Sequence, residues 1–380
     1  MNTRIPSFLS RPVALAAAAL ATALLAAGPA QAAHGVAATA GQTDATPSTR
    51  PLPVVASFSI LADLVKQVGG DRVAVESLVK AGGDTHVFQP GPAQVRQLSS
   101  ASLVVVNGLG FEGWMPRLIG SSGYKGPVVE AARGLQAMKA TDDHHHHGDD
   151  ADEDDHDHDG PHGHDHDHDG PHGHDHDEDG PHGHSHADHD HDEASHGHHH
   201  HHHGGLDPHA WQDALNVRHY VANIAEGLCQ AAPADCSGFR ERARAYDQKL
   251  LALDQEIHQA VDATPTDRRR VMVSHAAFGY YGRAYHITFM APVGVSTEEE
   301  PSASVVASLI RQARQQNVQA FFFENNSDPR LLKRMASELK NVTIGELYAD
   351  SLSPANGPAA DYLSMMRYNT RVITQALSKK

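Results

Sequence analysis

Several things are scarce in this 380-residue chain, and each shortage closes a possibility. It has two cysteines, Cys229 and Cys236, so it can form at most one internal disulfide. Acidic residues outnumber Lys and Arg by 47 to 30, which leaves no basic footprint and makes DNA or RNA a poor partner. Beyond the first thirty residues no stretch is apolar enough to cross a membrane. No His-Glu-x-x-His motif is present, so the commonest signature of a zinc hydrolase is missing. Aromatic residues make up 6%, but an apolar fraction of 40% still supplies sizeable cores.

The acidity has a local origin. Asp142 to Glu193 holds 21 of the 47 acidic residues and no Lys or Arg, and without it the formal charge of -17 becomes +4. The histidines crowd into the same region: 25 of 32 lie between His144 and His203. A ten-residue unit recurs there, seen in Asp159 to His164, Asp169 to His174 and Asp179 to His184. With almost no apolar residues, this segment cannot bury enough surface to offset the entropy of ordering, so disorder is expected over 141–205. Imidazoles interleaved with carboxylates suit borderline transition metals. His144, His145, His146, His147, His162, His164, His172, His174, His182, His184, His198, His199, His200, His201, His202 and His203 are therefore read as a low-affinity metal loop. The run His198 to His203 alone resembles an expression tag, but the repeat and its internal position do not.

At the start, Arg4 and Arg11 precede the apolar run Val13 to Ala27, and Ala30-Gln31-Ala32 offers a small-x-small site. This reads as a secretory signal peptide over 1–32, cleaved after Ala32, and implies an exported protein. No cysteine follows the apolar run, which argues against a lipid anchor. An oxidising compartment permits Cys229 and Cys236 to pair, the alternatives being free thiols or two metal ligands.

Residues 33–50 read as a flexible leader. From Pro53 short apolar runs alternate with helical spacing: strands at Val54 to Ser57, Val73 to Val79 and Leu103 to Val106, helices at Ile60 to Val68 and Pro92 to Ser99. The alternation returns with strands at Arg270 to Ser274, Ile287 to Ala291, Val318 to Phe323 and Val342 to Leu347. Helices are expected at Val305 to Gln316, Pro329 to Leu339 and Ala359 to Leu377. This is the pattern of an α/β protein with two parallel-sheet lobes, 51–236 and 265–380. Between them Ser237 to Ala263 lacks proline and places Leu250, Leu253 and Ile257 at helical spacing, so 237–264 is expected to be a long connecting helix.

Seven histidines lie outside the tract. His219 and His258 fit helix surfaces and His286 a strand start. His86 and His275 follow strands, where ligands of parallel sheets gather, and Asp350 does the same after Leu347. His209 stands just after the tract and before a helix.

The segments Gly83-Asp84-Thr85-His86-Val87-Phe88-Gln89-Pro90, Asp207-Pro208-His209-Ala210-Trp211, Ser274-His275-Ala276-Ala277-Phe278-Gly279-Tyr280-Tyr281 and Glu300-Pro301-Ser302 together resemble the ZnuA-like metal-binding proteins of bacterial zinc and manganese ABC importers. The resemblance spans Pro53 to Leu377 and implies two Rossmann-like lobes with a metal in the cleft between them. It assigns His86 and His209 to the first lobe and His275 to the second; manganese-selective relatives carry Glu at the last position. Asp350 matches the carboxylate that completes the site in some relatives, with Glu300 or water as alternatives. Other relatives carry Glu before the first ligand, where this chain has Thr85. Three nitrogens favour Zn²⁺. The implied role is periplasmic zinc capture and delivery to an inner-membrane permease with its cytoplasmic ATPase. The protein would act as a monomer, and an accessory periplasmic zinc chaperone is a further partner. Import of manganese or another divalent metal, a zinc hydrolase and a simple metal buffer are the alternatives; a hydrolase needs an open coordination position, which a filled His₃Asp site lacks.

Overall fold

The computed structural model describes residues 50–140, 205–298 and 300–378. The expected export signal, nearly all of the leader and the histidine tract lie outside these residues.

Two four-stranded parallel sheets organise the chain. The first contains β1 (Leu52–Phe58), β2 (Val73–Val79), β3 (Leu103–Val106) and β4 (Val128–Glu130), in the order β2-β1-β3-β4. Helices α1 (Ser59–Gly69), α2 (Pro92–Ser99) and α3 (Met115–Ser122) make the crossovers. After the helical hairpin α4 (Ala214–Ala231) and α5 (Cys236–Asp262), the second sheet repeats the plan. It contains β5 (Arg270–Val273), β6 (Thr288–Met290), β7 (Ala320–Glu324) and β8 (Thr343–Leu347), in the order β6-β5-β7-β8. Its crossovers are α6 (Gly279–Tyr285), α7 (Ala303–Gln315) and α8 (Arg330–Ser337), and α9 (Tyr362–Ser378) ends the fold. Central strands such as β3 are buried throughout, as a sheet covered on both faces requires of its sequence.

α5 buries Phe239, Ala243, Tyr246, Leu250, Leu253, Ile257 and Val261, spaced three or four apart on one stripe. That stripe packs on α1 and α4 and also on α6 and α9, so one helix touches the layers of both sheets. A disulfide between Cys229 and Cys236, whose Cα atoms are 4.5 Å apart, joins the end of α4 to the start of α5. Among the described residues no helix is long and apolar enough to cross a membrane.

Two elements of the first lobe carry no clear sequence pattern. β4 is three residues long at the sheet edge and has no buried residue, so neither alternation nor an apolar run marks it. α3 contains Pro116 at its first turn and two glycine-flanked ends, which mask its short amphipathic face. α9 begins at Tyr362, not at Ala359, because the Asp361 carboxylate accepts the Ser364 N–H at 2.9 Å and caps the first turn there.

Candidate metal centre

Within each parallel sheet the strands end on one edge, and the loop after β2 of the first sheet meets the loops after β5 and β8 of the second. The β2 loop brings His86, the β5 loop His275 and the β8 loop Asp350, while His209 arrives on the segment leading into α4. One ligand atom from each of the four lies within 4.8 Å of the other three. His86 Nε2 is 3.3 Å and His275 Nε2 3.1 Å from Asp350 Oδ2, and His209 Nε2 is 3.5 Å from Oδ1. His209 Nε2 also stands 3.4 Å from the Nε2 atoms of both His86 and His275. Three imidazole edges and one carboxylate thus face a single point.

The surroundings are dry. The side chains of His209 and Asp350 are wholly buried, His275 is 1% exposed and His86 5%. An aromatic wall of Phe58, Phe111 and Trp211 closes one side, with the Phe111 ring edge-on to His86 at 4.8 Å. Phe111 reaches this place through the turn Gly108-Leu109-Gly110, all at positive φ (85°, 56° and 80°), where two glycines relieve most of the strain.

Each ligand segment is anchored across the cleft or beneath it. Trp211 Nε1 and Gln212 Nε2 both donate to the carbonyl of Ala349 at 2.9 Å, tying the His209 segment to the residue before Asp350. The Thr85 carbonyl accepts from Trp114 Nε1, and the His86 N–H donates to Asp84 Oδ1. Asp84 Oδ2 accepts from the Thr297 hydroxyl at 2.8 Å, a bond from the first lobe to the second. The Leu352 N–H donates to Ser59 Oγ.

Neither Asp350 oxygen has a hydrogen-bond donor. Burial alone would push this carboxyl up, but the charges of His275 and His209 and the nearness of the His275 and His86 rings hold it well below its usual range. Burial pushes His275 down, yet Glu324 and Asp350 outweigh it and hold the imidazole well above its ordinary value. A bare buried carboxylate needs compensation, by a proton on these rings or by a cation. Three borderline nitrogens and one oxygen make a donor set suited to a tetrahedral divalent ion.

Glu300, the alternative fourth donor, is exposed and lines a cavity beside His275 without joining the four-residue group. Thr85 is buried and its hydroxyl has no partner. His219 and His286 are exposed and His258 packs on Tyr285, all away from the cluster, while all 25 tract histidines, including the sixteen named above, lie outside the described residues. Cys229 and Cys236 are disulfide-bonded and so are neither free thiols nor metal ligands.

Two buried carboxylates at the site were not singled out from the sequence as site residues. Asp207 Oδ1 accepts from both the N–H and Nδ1 of His209, at 2.9 and 2.8 Å. Glu324 accepts the His275 N–H at 3.2 Å, and its Oε2 lies 2.7 Å from His275 Nδ1. That last contact is off the straight N–H···O line, but neither atom has another partner. An acidic residue ending a buried parallel strand was the available hint for Glu324, and placement two residues before a ligand the hint for Asp207.

A family model described as "ZnuA: Zinc-uptake complex component A periplasmic" matches residues 54–376. The chain is 26% identical over 346 residues to the metal ABC transporter substrate-binding lipoprotein ScbA of Streptococcus cristatus, covering 91% of this chain and 95% of that one. It is 25% identical to the manganese ABC transporter substrate-binding lipoprotein PsaA of Streptococcus pneumoniae, with 91% and 95% covered. In structure it is similar to the periplasmic zinc-binding protein TroA of Treponema pallidum, with a TM-score of 0.66, 24% identity and 87% and 100% of the chains covered. The manganese-bound periplasmic metal-binding protein of Candidatus Liberibacter asiaticus shares the fold at a TM-score of 0.64 and 21% identity, with 86% and 100% covered.

Proposed function

The chain belongs to the ZnuA family of zinc-uptake components, and from that premise we propose that it is the periplasmic metal-capturing component of an ABC importer, with Zn²⁺ as its cargo. It is a binding protein, not an enzyme, and delivers its ion to a membrane permease driven by an ATPase. The observation that carries the reading is the fully buried Asp350 carboxylate, lacking any hydrogen-bond donor and ringed by three imidazole Nε2 atoms. Only a cation or retained protons make that arrangement affordable, and a dication does so while using all four donors.

Relatives named for manganese and a neighbour named for zinc leave the cargo to be argued from chemistry. Imidazole nitrogen suits zinc, whereas manganese prefers oxygen, and this site offers three nitrogens against one carboxylate. Four protein donors also complete a tetrahedral shell, leaving no position for the metal-bound water a hydrolase uses. His86, His209, His275 and Asp350 are the ligands in this reading. The histidine tract gathers further Zn²⁺ more weakly, since each ion it binds must order a polar chain.

Titration of the full chain with Zn²⁺ and Mn²⁺ against competing chelators tests the assignment. One tightly held Zn²⁺ that Mn²⁺ displaces only in large excess is the expected result. Tighter binding of Mn²⁺, or the absence of any tight ion, would overturn it.

A further inference from the structure

The three histidines of the cleft are not held alike. His209 has the Asp207 carboxylate at its Nδ1, and His275 has that of Glu324. His86 has no such brace among the described residues; the edge of Phe111 meets its ring instead. The two braces arise from unrelated local geometry. Asp207 lies two residues before its histidine and bonds it twice, through the backbone N–H and through the ring. Glu324 reaches its histidine across the sheet. Val273 of β5 pairs with Phe322 of β7, and continuing that parallel register by two residues sets Glu324 beside His275. Both carboxylates are buried, at 4% and 1% exposure, so neither is a surface charge that happens to lie nearby.

We propose that Asp207 and Glu324 are positioning residues: each holds a proton on Nδ1 of its imidazole and so aims the Nε2 lone pair at the metal. The inference rests on the ligand assignment above and extends it. A neutral imidazole carries one N–H, and whichever nitrogen bears it cannot ligate. With a carboxylate fixed at Nδ1 the proton stays there, the ring cannot turn over, and the negative charge behind it makes Nε2 a better donor. The convergence of all three Nε2 atoms on Asp350 is the orientation this requires. One brace in each lobe means that both halves of the site are aimed before the ion arrives, and His86 is the ligand free to adjust.

The test uses the full chain loaded with Zn²⁺, read in two ways. Affinity is measured against a chelator strong enough to strip every weaker site. Imidazole N–H protons are observed by proton–nitrogen NMR, where only those shielded from water and hydrogen-bonded persist far downfield. The parent should show two such Nδ1–H signals. Glu324→Leu should abolish one of them and weaken the tight site about 10–100-fold. Glu324→Gln keeps an acceptor but loses the charge, so its signal should remain, move upfield, and accompany a smaller loss of affinity. Asp207→Asn should do the same to the other signal. Unchanged signals and affinity within about threefold of the parent in Glu324→Leu would overturn the proposal. Should that variant not fold, an unmoved signal in Glu324→Gln does so equally. His275→Ala separates the two readings. If it keeps tight zinc, the ligand assignment fails; if it loses tight zinc while the Glu324 variants behave as the parent, only the positioning role fails.

Discussion

The two sheets share a strand order, yet their faces are buried differently. In the first, neighbours on β1 that point to opposite faces, Val54, Val55 and Ala56, all enter one continuous core. In the second, Val271, Val273, Ala320 and Phe322 join that same core, whereas Met272 and Phe321, on the opposite face, pack with Leu309 and Met335 into a separate small cluster. The large core also contains Phe58, Phe111 and Trp211, which wall one side of the metal centre. The cleft side of the second lobe is thus packed as an extension of the first, while its outer layer of α7 and α8 stands on contacts of its own. A site assembled from two lobes keeps its geometry because the packing beneath it is continuous, even though the ligands are distant in sequence.

Phe321 and Phe322 give the sharpest way to break that comparison, being adjacent residues of one kind on opposite faces of β7. Either change to Ala should cost about 3–5 kcal/mol in denaturant unfolding. Only Phe322→Ala should also weaken zinc binding, and hydrogen exchange should find the α7–α8 layer opening before the first sheet. Equal loss of metal affinity in both variants would show that the two cores act as one.

The ligands come next in size. A zinc site worth roughly 10–16 kcal/mol, spread over four donors, assigns each about 3 kcal/mol, or on the order of 100-fold in affinity. His86→Ala, His209→Ala and His275→Ala should each show a loss of that order in calorimetry with chelator competition. Parent affinity in any one of these variants would remove that residue from the ligand set, and parent affinity in both first-lobe variants would leave the ion to the second lobe. Asp350→Ala should cost less wherever water replaces the carboxylate.

A buried acid distinguishes the first lobe's floor. Burial outweighs the bonds that Glu112 accepts from Ser57, Asn107 and Gly108, and pushes its carboxyl up from 4.5 to about 7. The folded protein therefore holds this proton more tightly than the unfolded chain. Its contribution to stability is fully present below pH 4.5 and is lost as the pH rises through about 7. The change is on the order of 3 kcal/mol. In melts of the zinc-free protein, the parent should lose stability relative to Glu112→Gln across that window, and parallel curves would contradict this.

The smallest effect concerns the bond between the lobes at Asp84 and Thr297. Thr297→Val removes a partner worth about 1 kcal/mol, so stopped-flow release of zinc to a chelator should quicken a few-fold with little change in thermal stability. An unchanged release rate would show that the bond does not hold the cleft shut.

Much of this architecture was legible in the chain. Strands such as Leu103–Val106 announce themselves because a sheet covered on both faces must be apolar throughout. His86, His275 and Asp350 stood out because parallel strands deliver their carboxyl-end loops to one edge. The edge strand Val128–Glu130 did not, since pairing along a single neighbour makes few demands on three side chains.

What the amino-acid sequence determined by itself was the repeated strand–helix plan, the long helix between the halves, the crowding of histidine and acid into one polar stretch, and the residue types offered at strand ends. These follow from periodicity, composition and the chemistry of single side chains. Only the tertiary structure decided that three Nε2 atoms and one carboxylate meet at a point, that Glu324 stands behind a histidine 49 residues away, and that Asp84 reaches Thr297 across 213 residues. Such pairings depend on strand register and on the packing of one lobe against the other, and no local pattern encodes a contact made through space.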